Sequence, residues 1–344
     1  MSLSERSRLA ASGPAPALRI GTRGSPLALA QAREVAARLL AAHPALAERP
    51  PEVVAIRTTG DRVTDRPLAE IGGKGLFTKE IEEALLDGRV DMAVHSMKDM
   101  PTVLPDGLLI DCLLPREDPR DALILPLPAG PGDGAVLDGL PPGAVVGTSS
   151  LRRRALLLHR RPDLKVVDFR GNVDTRLAKL RDGVAQATFL AMAGLNRLQR
   201  HGIGEQPLPL EEMLPAVAQG AIGIERRQDD DAVAALLAPL SDPACALCVA
   251  VERAFLAELD GSCRTPIAGH AELIGEPAGA AGVSEAEAID GAALRVRFRG
   301  GIASPDGGQA FFAEESAAAD DAAAMAVAMA RRLLARAGPG FLAG

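Results

Sequence analysis

Two stretches of this chain are built on one plan, and that repetition constrains the fold more than any other feature. Each opens with a short apolar strand that runs into glycine and hydroxyl residues and then into a helix. The first is Leu18-Arg-Ile-Gly-Thr-Arg-Gly-Ser-Pro and the second is Ala144-Val-Val-Gly-Thr-Ser-Ser. Ile-Gly-Thr at 20–22 returns as Val-Gly-Thr at 146–148, and Asp-Gly with a Met ten residues after the Asp occurs at 87–97 and at 182–192. A strand-and-helix plan used twice predicts two related α/β lobes. Alternating strands and helices predict mixed, mainly parallel sheets, with ligands bound at loops beyond the strand carboxyl ends. Two such lobes would face each other across a cleft.

Local signals place the elements. Ser25 is a good N-cap and Pro26 suits the first helical position, so a helix is expected from there to about Leu40. Val53–Arg57 and Val90–His95 read as strands and Phe77–Leu86 as a helix, stopped by Asp87-Gly88. Thr58–Gly75 is polar and glycine-rich, a loop suited to cover a site. In the second unit a helix starts near Leu151. Val166–Phe169 and Ala187–Ala191 read as strands, and Asn172–Leu180 as a helix. Asp118–Gly143 is rich in Pro and Gly and joins the lobes, and Leu214–Gly223 is a second crossover. Asp229–Leu240 and Pro243–Leu259 read as helices. From about residue 242, strand segments such as Leu294–Phe298 and an Ala-rich helix over about 317–337 predict a third, smaller α/β domain. Residues 1–17 read as a flexible leader.

Composition narrows the function. The 344-residue chain carries a formal charge of −7, with no Trp and no Tyr. A net acidic chain without aromatic stacking platforms is a poor nucleic-acid binder. No apolar export signal stands at the start, and the longest uncharged stretch outside the Pro/Gly-rich loops, 183–196, is too short to span a bilayer. Four cysteines (Cys112, Cys245, Cys248, Cys263) suit a reducing cytoplasm. Cys245 and Cys248 have metal-ligand spacing, but their helical context favours packed thiols over a metal site.

Only five of the 38 cations are lysine (Lys74, Lys79, Lys98, Lys165, Lys179). The arginines gather at loop-to-helix junctions: Arg23, then Arg152, Arg153 and Arg154, then Arg170 and Arg176, then Arg197. Helix N-termini attract anions, and guanidinium pairs with carboxylate or phosphate in bidentate fashion. One such arginine is ordinarily a solvated surface residue. A set at equivalent turns of two lobes predicts a cleft for a polyanion. Gly72-Gly-Lys-Gly lacks the spacing of a nucleotide loop. Asp99, beside Lys98 after a strand, suits stabilisation of a cation in that cleft, although a turn cap before Pro101 explains it equally well. His95 reads as a packed strand residue. Cys263 sits in the turn-rich Asp260-Gly-Ser-Cys-Arg-Thr-Pro266, where Arg264 favours thiolate, and suggests an attachment point or nucleophile.

Together these pieces resemble the porphobilinogen deaminase (hydroxymethylbilane synthase) family. The matching segments are Ile20-Gly-Thr-Arg-Gly-Ser-Pro-Leu-Ala, Gly72-Gly-Lys-Gly-Leu-Phe-Thr-Lys-Glu, Asp91-Met-Ala-Val-His-Ser-Met-Lys-Asp-Met-Pro, Arg116-Glu-Asp-Pro-Arg-Asp-Ala, Gly147-Thr-Ser-Ser-Leu-Arg-Arg, Arg170-Gly-Asn-Val-Asp-Thr-Arg, Ala193-Gly-Leu-Asn-Arg, Gln219-Gly-Ala-Ile-Gly-Ile-Glu and the Cys263 loop. Each is modest, but their order over about 18–275 is highly specific.

The resemblance implies two lobes like those of periplasmic binding proteins plus a C-terminal domain. Domain 1 would be 18–114 with 220–240, domain 2 would be 119–215, and domain 3 would be 242–344, with hinges near 115–119 and 215–220. It implies a cytoplasmic monomer that condenses four porphobilinogen molecules head to tail, losing ammonia each time, on a dipyrromethane cofactor held by Cys263 through a thioether. The product would be hydroxymethylbilane, with no metal, nucleic acid or membrane involved. Asp99 matches the catalytic acid. Lys98, Ser96, Thr148, Ser149, Ser150, Arg152 and Arg153 match cofactor contacts. Arg23, Ser25, Arg170, Arg176, Arg197 and Phe77 match substrate binders and their surroundings, and Lys74 falls in the lid. Ser262 and Ala218 stand where glycine is common in the family. The rival reading is a solute-binding or ligand-sensing protein with the same lobes, which leaves Cys263 without a role.

Overall fold

The fold is described from a computed structural model covering residues 17–62, 76–126, 136–260, 265–275 and 294–342. Its strands are β1 (Arg19–Arg23), β2 (Glu52–Ile56), β3 (Met92–Ser96), β4 (Leu108–Leu113), β5 (Asp121–Ile124), β6 (Val145–Gly147), β7 (Lys165–Val167), β8 (Ala187–Ala191), β9 (Glu205–Pro207), β10 (Ile222–Arg227), β11 (Ile267–Ile274), β12 (Arg295–Ala303) and β13 (Ala310–Ala318). Its helices are α1 (Pro26–Ala42), α2 (Thr59–Arg62), α3 (Lys79–Leu86), α4 (Leu151–Arg160), α5 (Val173–Arg181), α6 (Met192–Arg197), α7 (Asp231–Leu237), α8 (Pro243–Glu258) and α9 (Ala322–Ala337).

The repeat in the sequence becomes a repeat in topology. One five-stranded sheet has the order β2-β1-β3-β10-β4 and the other β7-β6-β8-β5-β9. Their pairing patterns match. In each sheet the first three strands run parallel, and a strand arriving from the other lobe then adds antiparallel to both neighbours. That strand is β10 in lobe 1 and β5 in lobe 2, each directly after a crossover. The sheets are therefore mixed, and parallel and antiparallel pairings divide evenly where the sequence suggested a parallel majority. The exchanged strands account for the difference, because each enters its sheet antiparallel to both neighbours.

Aliphatic side chains fill both lobes. Ile20, Val35, Leu39, Met92 and Ile224 form the core of lobe 1, and Leu123, Val146, Leu157 and Phe189 that of lobe 2. Each buried side chain of this size contributes about 1.5–3 kcal/mol. The third unit is the antiparallel sheet β11-β12-β13 covered by α8 and α9. Phe255 of α8 meets Phe298 of β12 edge-on at 5.0 Å. The last helix starts at Ala322 instead of about 317, because 310–318 pairs along its length with β12. Cys245 and Cys248 lie buried on α8 as free thiols.

All three units meet at one buried carboxylate. Glu252 of α8 accepts hydrogen bonds from the Arg116 guanidinium, the Ala218 N–H and the Ala271 N–H. Arg116 Nε donates to the Gln219 carbonyl at 3.0 Å. Glu252 thus ties both crossovers to the third sheet. Burial alone would raise its carboxyl, but Arg116 and His270 outweigh that and hold it at about 2. Ala218 adopts a left-handed φ of 59°, which explains why glycine suits this position. No single helix among the described residues is long and apolar enough to cross a membrane.

Candidate functional site

The functional turns of the two lobes are held by matching caps. The Ser25 hydroxyl accepts the Ala28 N–H at the start of α1, and the Ser150 hydroxyl accepts the Arg153 N–H at the start of α4. The Asn172 side chain accepts the Thr175 N–H at 2.9 Å at the start of α5. Ser149 Oγ accepts the Phe169 N–H at 2.9 Å, which ties the α4 turn to the segment leading to Arg170. The first turns of three helices, with their partial positive charge, are thereby fixed. All border a cavity of about 890 Å³ between the lobes.

The cavity gathers most of the residues singled out by sequence. Arg23, Ser25, Phe77, Lys98 and Asp99 line it from lobe 1, and Ser149, Ser150, Arg152, Arg153, Arg170 and Arg176 from lobe 2. Leu256, Thr265 and Ile267 close it from the third unit. Three others stand behind the wall. Ser96 exchanges hydrogen bonds with Gln31, and Thr148 Oγ1 accepts the Ser150 N–H at 3.2 Å. Arg197 is held by Glu34 at 3.4 Å and by the Gly220 carbonyl at 3.0 Å. Cys263 and Lys74 lie outside the described residues, although Thr265, two positions after Cys263, reaches the cavity. His95 packs on β3 against Glu225 at 3.0 Å.

Charge in the cavity is strongly one-sided. Among the described residues, the lining cations are Arg23, Arg57, Lys98, Arg152, Arg153, Arg170, Arg176 and Lys179, and the lining carboxylates are only Asp99 and Asp174. Enclosure pushes the Lys98 ammonium down to about 8, against the pull of Asp99. Burial, with Arg153 and Arg170 adding to it, lowers Arg176 to about 10. Burial is the main cause of both shifts, and neighbouring guanidinium groups add to it.

One acid works from behind. Asp121, fully buried on β5, binds Arg153 at 2.6 Å and Arg152 at 2.8 Å and accepts the Gln219 amide at 2.9 Å. Burial would raise its carboxyl, but the two guanidinium groups outweigh that and hold it far below the usual range. Gln219 also accepts from Lys98 Nζ at 3.3 Å, so one polar chain joins the two lobes beneath the cavity floor. Arg152 Nε remains buried with no hydrogen-bond partner. Arg23 stacks over the Phe77 ring at 4.1 Å, a cation–π contact at the mouth.

Sequence reasoning missed Asp121, Arg57 and Lys179 as site residues. Asp121 precedes its arginines by some thirty positions, and no local spacing links them. Lys179, whose ammonium donates to the Arg170 carbonyl at 3.1 Å, carried one signal: it is a lysine kept in a chain that favours arginine.

The family model described as "Porphobilinogen deaminase, dipyromethane cofactor binding domain" matches residues 18–235, and "Porphobilinogen deaminase, C-terminal domain" matches residues 246–335. The porphobilinogen deaminase of Paracoccus denitrificans (strain Pd 1222) is 57% identical over 328 residues, covering 95% of this chain and 97% of that relative. The chloroplastic porphobilinogen deaminase of Pisum sativum is 51% identical over 328 residues, covering 94% of this chain and 83% of its own. Among solved structures, the periplasmic aliphatic sulphonate binding protein SsuA from Escherichia coli is similar with a TM-score of 0.38 and 16% identity, over 71% of this chain and 70% of that one.

Proposed function

Because the chain belongs to the porphobilinogen deaminase family and has that activity in tetrapyrrole biosynthesis, we propose which of its residues carry the reaction. The observation that supports the assignment is the excess of cations over carboxylates in one enclosed cleft, with Asp99 exposed in the wall beside Lys98. Porphobilinogen carries an acetate and a propionate, so a chain of four units accumulates carboxylates that such a cleft neutralises. Cys263 would hold the dipyrromethane cofactor through a thioether, and the cofactor when bound would supply the pyrrole carbon that accepts the first unit. Its carboxylates suit Lys98, Ser149, Ser150, Arg152 and Arg153. The unpartnered Arg152 Nε is the kind of buried donor that such a group would satisfy. Ser96 and Thr148 serve this site by shaping the turns they brace.

Asp99 accepts pyrrole N–H groups and stabilises the positive charge that develops when ammonia leaves. A carboxylate already in place stabilises that charge without reorganising at the moment of reaction. Arg23, Ser25, Arg170 and Arg176 bind substrate carboxylates, Phe77 holds Arg23 in position, and Lys74 belongs to the lid. Arg197 joins the substrate binders once it parts from Glu34. Domain limits of 18–114 with 220–240, 119–215 and 242–344 follow the sheet memberships, with Arg116 and Glu252 anchoring the hinges. The three described thiols, free and buried, support a reducing cytoplasm. Scattered exposed apolar residues (Leu86, Val103, Val184, Phe312) support a monomer.

Intact mass of the wild type and Cys263→Ser, with Ehrlich's reagent, tests the assignment. The wild type should carry the dipyrromethane increment and give colour, and the variant should show neither. An unmodified wild type that stays inert with porphobilinogen would contradict it.

A further inference from the structure

Two lining cations, Arg57 and Lys179, belong to none of the motifs that carry the function, and of these Lys179 already donates to the Arg170 carbonyl. Arg57 lies one residue beyond β2, and the parallel register pairs the preceding Ile56 with Arg23 of β1. Arg57 and Arg23 therefore leave neighbouring strands at their carboxyl ends, where α/β folds bind ligands. The backbone around Arg57 is fixed. Thr58 is fully buried, and the N–H and hydroxyl of Thr59 both donate to Glu80 Oε1, at 2.8 and 2.6 Å. Phe77 packs so tightly on Gly60 that a Cβ there would lie 2.2 Å from its ring. A rigid base thus carries an exposed side chain that lines the cavity.

What distinguishes Arg57 is that it is uncommitted. Arg152 and Arg153 already pair with Asp121, Arg197 with Glu34 and the Gly220 carbonyl, and Arg176 Nε with the Gly171 carbonyl. Arg57 makes no hydrogen bond or ion pair with any described residue.

We propose that Arg57 is a further substrate-binding residue, which takes an acetate or propionate carboxylate of the incoming or growing pyrrole chain at the lobe 1 rim. The inference rests on the porphobilinogen reading of the cleft. A charge-assisted hydrogen bond at a partly exposed site corresponds to about a tenfold change in affinity.

Arginine-directed labelling of the holoenzyme with phenylglyoxal, read by peptide mass, tests it together with Arg57→Gln and Arg57→Lys kinetics. Porphobilinogen should slow labelling of Arg57 about tenfold. Arg57→Gln should raise KM about tenfold with kcat and cofactor mass kept, and Arg57→Lys should recover part of the loss. Labelling unchanged by porphobilinogen, or an unchanged KM in Arg57→Gln, overturns the proposal, provided that the wild type turns over. An inert wild type would instead count against the deaminase reading itself.

Discussion

The two lobes share a strand order and a set of helix caps, yet they charge the cleft unequally. Lobe 1 brings Asp99 to the cleft with a few cations at its rim, whereas lobe 2 brings the row Arg152, Arg153, Arg170, Arg176 and Lys179. Their hidden acids differ as well. On the exchanged strand of lobe 1, Glu225 meets a histidine, and on that of lobe 2, Asp121 meets two arginines. The shared topology supplies equivalent turns, and in the proposed assignment the residue at each turn decides whether the lobe reacts or grips. A duplicated fold can thus divide chemistry from binding without changing its backbone plan.

Removing the acid behind lobe 2 should have the largest effect. Asp121→Asn leaves Arg152 and Arg153 buried without their counter-charge and should cost about 3–5 kcal/mol of stability, read as a lower denaturation midpoint. Lobe 2 should otherwise fail in binding rather than chemistry. Arg176→Gln should raise KM by about 10–100-fold while kcat changes little, and a fall in kcat alone would erase the division of labour.

A pH profile sharpens the contrast at the lobe boundary. The Lys98 ammonium sits at about 8, so it is charged below that pH and lost above it. Carboxylate binding should weaken as pH rises through 8, with kcat/KM falling about tenfold per unit. Lys98→Gln should remove that limb. The smallest effect concerns the crossover. Ala218→Gly relieves a left-handed φ and should stabilise the protein by at most about 1 kcal/mol, because glycine also loosens the unfolded chain.

The sequence made the lobes legible because their signals are local. Ser25-Pro26 and Asn172 announce their helices within a few residues, and the observed starts agree. Strands β4, β5, β9, β10 and β11 carry no comparable local signal, since each finds its place through partners distant in the chain. The terminal helix starts later than the Ala-rich run suggests, because 310–318 pairs along its length with β12. At the site, adjacent motifs marked Arg152 and Arg153, but Asp121, which holds them, shares no spacing with them. Arg197 carried the same junction signal as its fellows, and only tertiary contact with Glu34 shows that it stands behind the cleft wall.

The central claim is that the acid of lobe 1 performs the chemistry while lobe 2 holds the chain. Intact mass of Asp99→Ala holoenzyme after mixing with porphobilinogen tests it most directly. Complexes with bound substrate should form but fail to lengthen, with turnover reduced by about 10²–10³-fold. Normal elongation through the successive complexes, with product released at the wild-type rate, would contradict it.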